Sequence, residues 1–188
     1  MDNLVDLHDE ALDATGRIVA TVGPGQWRAA TPCSEWNVRE LVNHLVTGNL
    51  WAVELGAGAS IAAVGDRLDG DVLGTDPVGA YDDSARTASA VFHRPGALDA
   101  PCAVSYGPVP GSIYLGHRFL DVLVHGWDLA VACGKDAMLA DGMVRAGLEV
   151  AEPQAGVLRA SGMFGGDVAV PTGAHAQTRL LALLGRQG

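Results

Sequence analysis

The chain predicts an all-α protein: a four-helix bundle with a long crossover loop and short extra helices near its C-terminal end. Three observations lead there. Apolar residues recur at helical spacing through four long segments, Gly- and Pro-rich breaks separate those segments, and neither an internal repeat nor a βαβ alternation interrupts the pattern. Such a bundle can build ligand and metal sites between facing helices. At 188 residues, 48% of them hydrophobic, the chain has the size of one ordinary domain spanning 1–188, enough to bury a core without disulfide staples.

The first helix is expected over residues 2–22, where Leu4, Leu7, Ala11, Ala14 and Ile18 follow a helical period with acidic residues between them, and Gly23-Pro24-Gly25 ends it. A connector with a turn at Thr31-Pro32 runs from Trp27 to Trp36. Asn37 is a good N-cap, and Glu40 three residues on completes a capping-box pattern, so a second helix runs from there to about Leu55, where Gly56-Ala57-Gly58 stops it. Residues 56–75 are rich in Gly and Asp and form a long loop with a short helical piece. Pro77 opens the third helix as its first residue, continuing through Tyr81, Ala85, Ala88, Val91 and Phe92 to Arg94, before Pro95-Gly96. In residues 97–111, Gly107, Pro108, Pro110 and Gly111 crowd Tyr106 and predict an irregular or short β-like connector. The fourth helix extends from Ser112 to about Cys133, with Gly134 as its stop. A shorter helix over Asp141–Ala151, a brief extended piece at Val168-Ala169-Val170 and an amphipathic helix over 174–184 complete the chain.

The net charge of −10, with a single Lys (Lys135) among 12 basic residues, repels phosphate backbones and argues against nucleic acid as a partner. Cys33, Cys102 and Cys133 are odd in number and widely spaced, which fits neither a disulfide framework nor a cysteine zinc site and suits a reducing cytosol. The acidic, amphipathic start lacks the pattern of a signal peptide, and no apolar stretch is long enough to span a membrane. The expected location is cytoplasmic.

One decapeptide carries the chemistry: Asp121-Val122-Leu123-Val124-His125-Gly126-Trp127-Asp128-Leu129-Ala130. Asp121 and His125, four residues apart, share one face of a helix within an apolar run. A carboxylate and an imidazole buried together need a partner, and a divalent metal suits both. His44 occupies a similar setting on the second helix, with Leu41, Leu45, Gly48 and Trp51 on its face, so two helices could meet around one ion. The bland account is a pair of histidines bonded to carbonyls and an Asp satisfied by an Arg. His117 leaves the register open, because 117/121 and 121/125 are equally spaced. The simple reading of His117 is a partly exposed residue near the open end of the bundle.

The stretch Thr31-Pro32-Cys33-Ser34-Glu35-Trp36-Asn37-Val38-Arg39-Glu40-Leu41-Val42-Asn43-His44-Leu45 resembles the TPC-x-x-W-x-V-x-x-L-x-x-H signature of the DinB-like superfamily. More narrowly it resembles an actinobacterial metal-binding group related to the N-terminal domain of mycothiol-dependent maleylpyruvate isomerase. The decapeptide from Asp121 to Ala130 looks like that group's second signature. Phe164-Gly165-Gly166 through Arg179-Leu180-Leu181-Ala182-Leu183-Leu184-Gly185-Arg186 is similar to its closing segment. The likeness is weak across residues 56–111. It implies a DinB-like bundle holding one divalent ion, with His44 as a ligand and the family's His/Glu-x-x-x-His pair falling on Asp121 and His125. Asp is one methylene shorter than the commoner Glu, which bears on metal choice: zinc first, nickel or iron next. Little chain follows the bundle, so the isomerase's C-terminal domain is expected to be missing and its activity is not carried over.

Two imidazoles and one carboxylate leave open positions on a divalent ion, the catalytic style of zinc site, which lowers the pKa of a bound water or thiol. The resemblance therefore implies a thiol-dependent (mycothiol-type) transferase or isomerase, with a small-molecule thiol and a small electrophile as partners. The alternatives are a non-catalytic helical module with a structural metal, pairing as a homodimer through the first or last helix, and a metal-free small-molecule binder. The ligand set also matches the facial triad of non-haem iron oxygenases, but those occupy β-rich barrels. Around the site, Asp128 either orients a ligand or pairs with an Arg such as Arg118, while Trp36 and Trp51 are wall or core. Cys33 is expected to pack at its turn, with a nucleophilic role as the sharper alternative. Arg39 and Arg118 could meet a substrate carboxylate or the thiol cofactor. His8, His93 and His175 are expected to be solvated and without partners.

Overall fold

Four long helices carry the core in the computed structural model, which describes residues 3–156, 168–170 and 172–187. In chain order the elements are α1 (Leu4–Val19), α2 (Val38–Gly56), a one-turn α3 (Ile61–Val64), α4 (Pro77–Phe92), β1 (Pro101–Val104), β2 (Gly107–Pro110), α5 (Gly111–Ala132), α6 (Asp141–Ala151) with a 3₁₀ turn over Glu152–Gln154, and α7 (Ala176–Leu183). Helix α1 packs on α5 and α4, and α2 packs on the same two helices, so the four close a bundle with α1 and α2 across its diagonal. Helix α6 and α7 pack on each other, and α6 also rests against α5.

Local chemistry explains most boundaries. Asn37 caps α2 reciprocally: its side chain accepts from the Glu40 backbone N–H, and the Glu40 carboxylate accepts from the Asn37 N–H. Pro77 begins α4 behind the Asp76 cap. Helix α5 stops at Gly134, whose φ of 65° places it in the left-handed region. There Gly134 N donates to Val131 O and Lys135 N to Ala130 O, the paired bonds of a Schellman stop. Helix α1 ends at Val19, short of the expected 22, because the next residues turn on tighter bonds such as Val22 N to Val19 O. Residues 101–110 form an antiparallel hairpin with Pro101 opposite Pro110 and Val104 opposite Gly107.

Helix α5 is the central element, buried from Tyr114 through Ala130 on nearly all sides. Its flanks pack in two apolar clusters. The larger joins Leu41, Leu45, Phe119, Leu120 and Leu123 to Leu180 and Leu184, and the smaller gathers Ala52, Phe92, Tyr114 and Leu115 near the hairpin. Among the described residues no helix is long and apolar enough to cross a membrane. Residues 168–170 form no strand, and Phe164-Gly165-Gly166 lies outside the described residues.

Candidate metal centre

The site sits where α2 faces the middle of α5. On α5, Asp121 and His125 share a face, with Asp121 Oδ1 3.5 Å from His125 Nε2. From α2, His44 brings its Nε2 to 3.1 Å from that same oxygen. The connector before α2 is pinned onto the helix: Val38 N donates to Ala29 O, Arg39 N to Trp27 O, and Thr31 Oγ1 to Trp36 O at 2.7 Å. That clip lays the Trp36 ring over His44, centroids 4.4 Å apart and nearly parallel, and sets its edge toward His125.

The two α5 groups of the cluster are each aimed by a further partner. His125 Nδ1 lies 3.0 Å from Asp128 Oδ2, an arrangement in which Nδ1–H donates to that carboxylate and Nε2 faces Asp121. Asp128 is fully buried and receives Arg186 through Nε at 3.0 Å and Nη2 at 2.8 Å. On the other side, Arg118 Nη1 donates to Asp121 Oδ2 at 2.9 Å and leaves Oδ1 to the two rings. Arg118 Nη2 donates to Asn49 Oδ1, and Asn49 Nδ2 to Ser84 Oγ, so the aim of Asp121 is tied back through α2 to α4. Gly48 makes this possible: a Cβ there would collide with the Arg118 guanidinium.

The donor set fits a first-row divalent ion. One oxygen and two ring nitrogens lie within 4.8 Å of one another. Such ligands sit about 2.0–2.1 Å from zinc, so neighbours in a tetrahedral shell are roughly 3.4 Å apart. Burial opposes charge on Asp121, but His44, Arg118 and His125 outweigh it and hold its carboxyl well below the usual range. Burial likewise opposes charge on His125, and Asp121 and Asp128 overcome it, raising its pKa.

A second cluster, Cys33 with His125 and Asp128, is equally compact. Its place for a cation is already taken, because both Asp128 oxygens hold the Arg186 guanidinium. Burial pushes the Cys33 thiol pKa up, Asp128 adds to that, and Arg186 opposes both. A protonated, half-buried thiol matches the packing account of Cys33 rather than the nucleophilic one.

Several expectations are corrected. Asp128 pairs with Arg186, not Arg118, and it also takes the ring-orienting place beside His125. Arg118 is buried in its bonds to Asp121 and Asn49 and does not line the cleft beside His44. His8 is not solvated: it is 0% exposed, with the Phe92 ring edge-on at 5.3 Å. His93 is exposed but bonded to Asp9 at 2.7 Å, while His175 is exposed. His117 stays out of the cluster, half-buried between the Tyr106 hydroxyl and Gln154. Trp51 packs in the smaller apolar cluster, so of the two tryptophans Trp36 alone walls the site. Arg186 lies in the closing segment that resembles the family's, but nothing marked its role, and Asn49 carried no advance signal. Arg186 is 58 residues from its partner, and nothing local marks it as buried.

An all-α bundle of this form is a DinB-like bundle. The chain belongs to the family of the mycothiol maleylpyruvate isomerase N-terminal domain, whose description matches residues 8–130. It is similar to two Mycobacterium tuberculosis proteins, "Uncharacterized protein Rv0738" of strain H37Rv and "Uncharacterized protein MT0763" of strain CDC 1551. Each is 37% identical over 143 residues, covering 74% of this chain and 71% of the relative. No solved structure matches the chain.

Proposed function

We propose that this protein binds one divalent metal ion through His44, Asp121 and His125 and acts in thiol chemistry on a small electrophile, as a mycothiol-type transferase or isomerase. The observation that carries the reading is the convergence of three donor atoms from two helices, two of them, on Asp121 and His125, aimed by buried partners. Zinc suits the nitrogen-rich set first, with nickel or iron as alternatives. Membership of a family described by a mycothiol enzyme supports the thiol as co-substrate. An ion held there would supply Lewis acidity, lowering the pKa of a thiol that reached it.

The chain's own residues supply access and exclusion. A cleft of about 800 Å³ opens beside His44, lined by Trp27, Trp36, Arg28, Arg39 and Asn43. Trp36 covers one face of His44 and keeps water from it, while the two indoles offer apolar surface to an electrophile. Arg39 is held at the rim by Asp71 at 2.7 Å and by the Gly74 carbonyl, and Arg28 lies on the same wall as a cation for an anionic substrate or thiol. The three unpaired cysteines suit a reducing cytoplasm.

Elemental analysis of protein purified without chelators tests the metal, and conjugation of a thiol to monochlorobimane tests the chemistry. The reading expects stoichiometric metal and a conjugation rate that falls on chelation. Metal-free protein with no effect on the rate overturns it. One observation favours a second reading, a metal-free bundle that binds a small molecule: His44 and Asp121 already satisfy each other at 3.1 Å. That reading expects no bound metal after purification without chelators.

A further inference from the structure

The carboxylate that aims His125 is gripped by a residue outside the family-matched span, which ends at residue 130. Helix α7 finishes in a second Schellman stop: Gly185 has a φ of 72°, its N–H donates to Ala182 O, and Arg186 N donates to Leu181 O at 2.8 Å. The residue at this last position usually makes an apolar contact. Here it is Arg186, 5% exposed, with Nη1 bonded to Leu184 O at 2.9 Å and the rest of the guanidinium on Asp128. Its backbone and side chain are therefore both fixed before it meets the carboxylate.

We infer that Arg186 is a positioning residue for the centre: acting through Asp128, it fixes the orientation of the His125 ring and so sets metal affinity. The inference rests on the metal reading above. Two effects compete. The positive charge of Arg186 disfavours a nearby cation, whereas its two-point grip holds Asp128 turned toward His125 Nδ1. The charges of Arg186 and Asp128 largely cancel at the distance of the cluster, so orientation dominates. Removing the guanidinium takes away the clamp on a fully buried carboxylate, which is then free to turn away from His125 Nδ1. Loss of such an outer partner weakens metal binding by about 10–100-fold.

The test uses the full chain with zinc, its affinity read by competition with a chromophoric chelator, alongside the absorption spectrum of the cobalt-loaded protein and the melting temperature of the metal-free form. Arg186→Met should lose about 10–100-fold in zinc affinity and shift the cobalt bands. Arg186→Lys, which keeps the charge but not the fork, should recover part of the affinity, and it carries the test if Arg186→Met fails to fold. Leu55→Ala, a cavity in the smaller apolar cluster, should lower the melting temperature and leave affinity unchanged. Wild-type affinity or tighter binding in the folded Arg186 variants overturns the inference alone. A wild-type protein that takes up no zinc overturns the metal reading and this inference with it.

Discussion

His8 and His125 are sealed inside the same bundle, 0% and 2% exposed, yet their chemistry runs in opposite directions. His125 has a carboxylate on each side of its ring, Asp121 and Asp128, and its pKa is raised. At His8 neither ring nitrogen has a hydrogen-bond partner among the described residues, the Nε of Arg118 is also unpartnered, and the nearest carboxylate oxygen, on Asp9, is 4.0 Å away. Burial first and the Arg118 charge second push the His8 pKa down to about 3. Burial is common to both, so the partners decide. One histidine is held ready for a charge or a cation, and the other is a neutral packing group.

Removing each histidine should separate the two regions. His125→Ala is expected to lower metal affinity by more than about 100-fold, since it removes a ligand and strands Asp128, whereas His8→Leu leaves affinity unchanged. Calorimetric zinc titration checks both, and equal losses would erase the distinction. The next effect falls on the polar chain between the two regions. Gly48→Ala drives a methyl into the Arg118 guanidinium, which should destabilise the fold by roughly 1–3 kcal/mol and weaken metal binding as Asp121 loses its anchor. Urea denaturation and the same titration measure it.

A third effect is in pH. His8 stays neutral in the fold to about pH 3, while in the unfolded chain it protonates below about 6.5. Protons therefore bind preferentially to the unfolded state between those values. Stability falls as pH falls through that window, by about 1.4 kcal/mol per pH unit from this residue. His125 has the opposite sign in the metal-free protein: its raised pKa adds stability on the acid side, lost as pH rises through the folded value. Asp121, depressed, stabilises above the unfolded carboxylate range and loses that as pH falls through its folded pKa. His8→Leu should flatten the fall in stability below pH 6.5, and an unchanged profile in that variant would show that His8 is not the group responsible.

The helical framework was legible wherever the signal was local. The Asn37–Glu40 capping box, Pro77 and Gly134 each mark a boundary through bonds made within a few residues. The hairpin read as an irregular or short β-like connector, without its register, because Pro108 and Pro110, in a four-residue strand, disguise it. His44 and Asp121 were legible because helical spacing and an apolar setting coincide, His125 rather than His117 came from the family resemblance, and the structure brings the three together. Arg118 was misplaced beside Asp128, ten residues on and thus about 15 Å along the helix, when one turn carries it to Asp121. His8 was misread because the buried face of α1 includes polar residues, His8 and Thr15, and so runs off the apolar stripe. Arg186 and Asn49 act through partners distant in sequence, which periodicity does not encode.

X-ray absorption at the zinc edge of the loaded protein tests the central claim most directly, because it separates the two clusters that share His125. The account predicts a shell of nitrogen and oxygen only, at about 2.0–2.2 Å, with the outer scattering of two imidazoles. A sulfur at about 2.3 Å would place the ion on Cys33 instead, and protein that retains no zinc would contradict the account altogether.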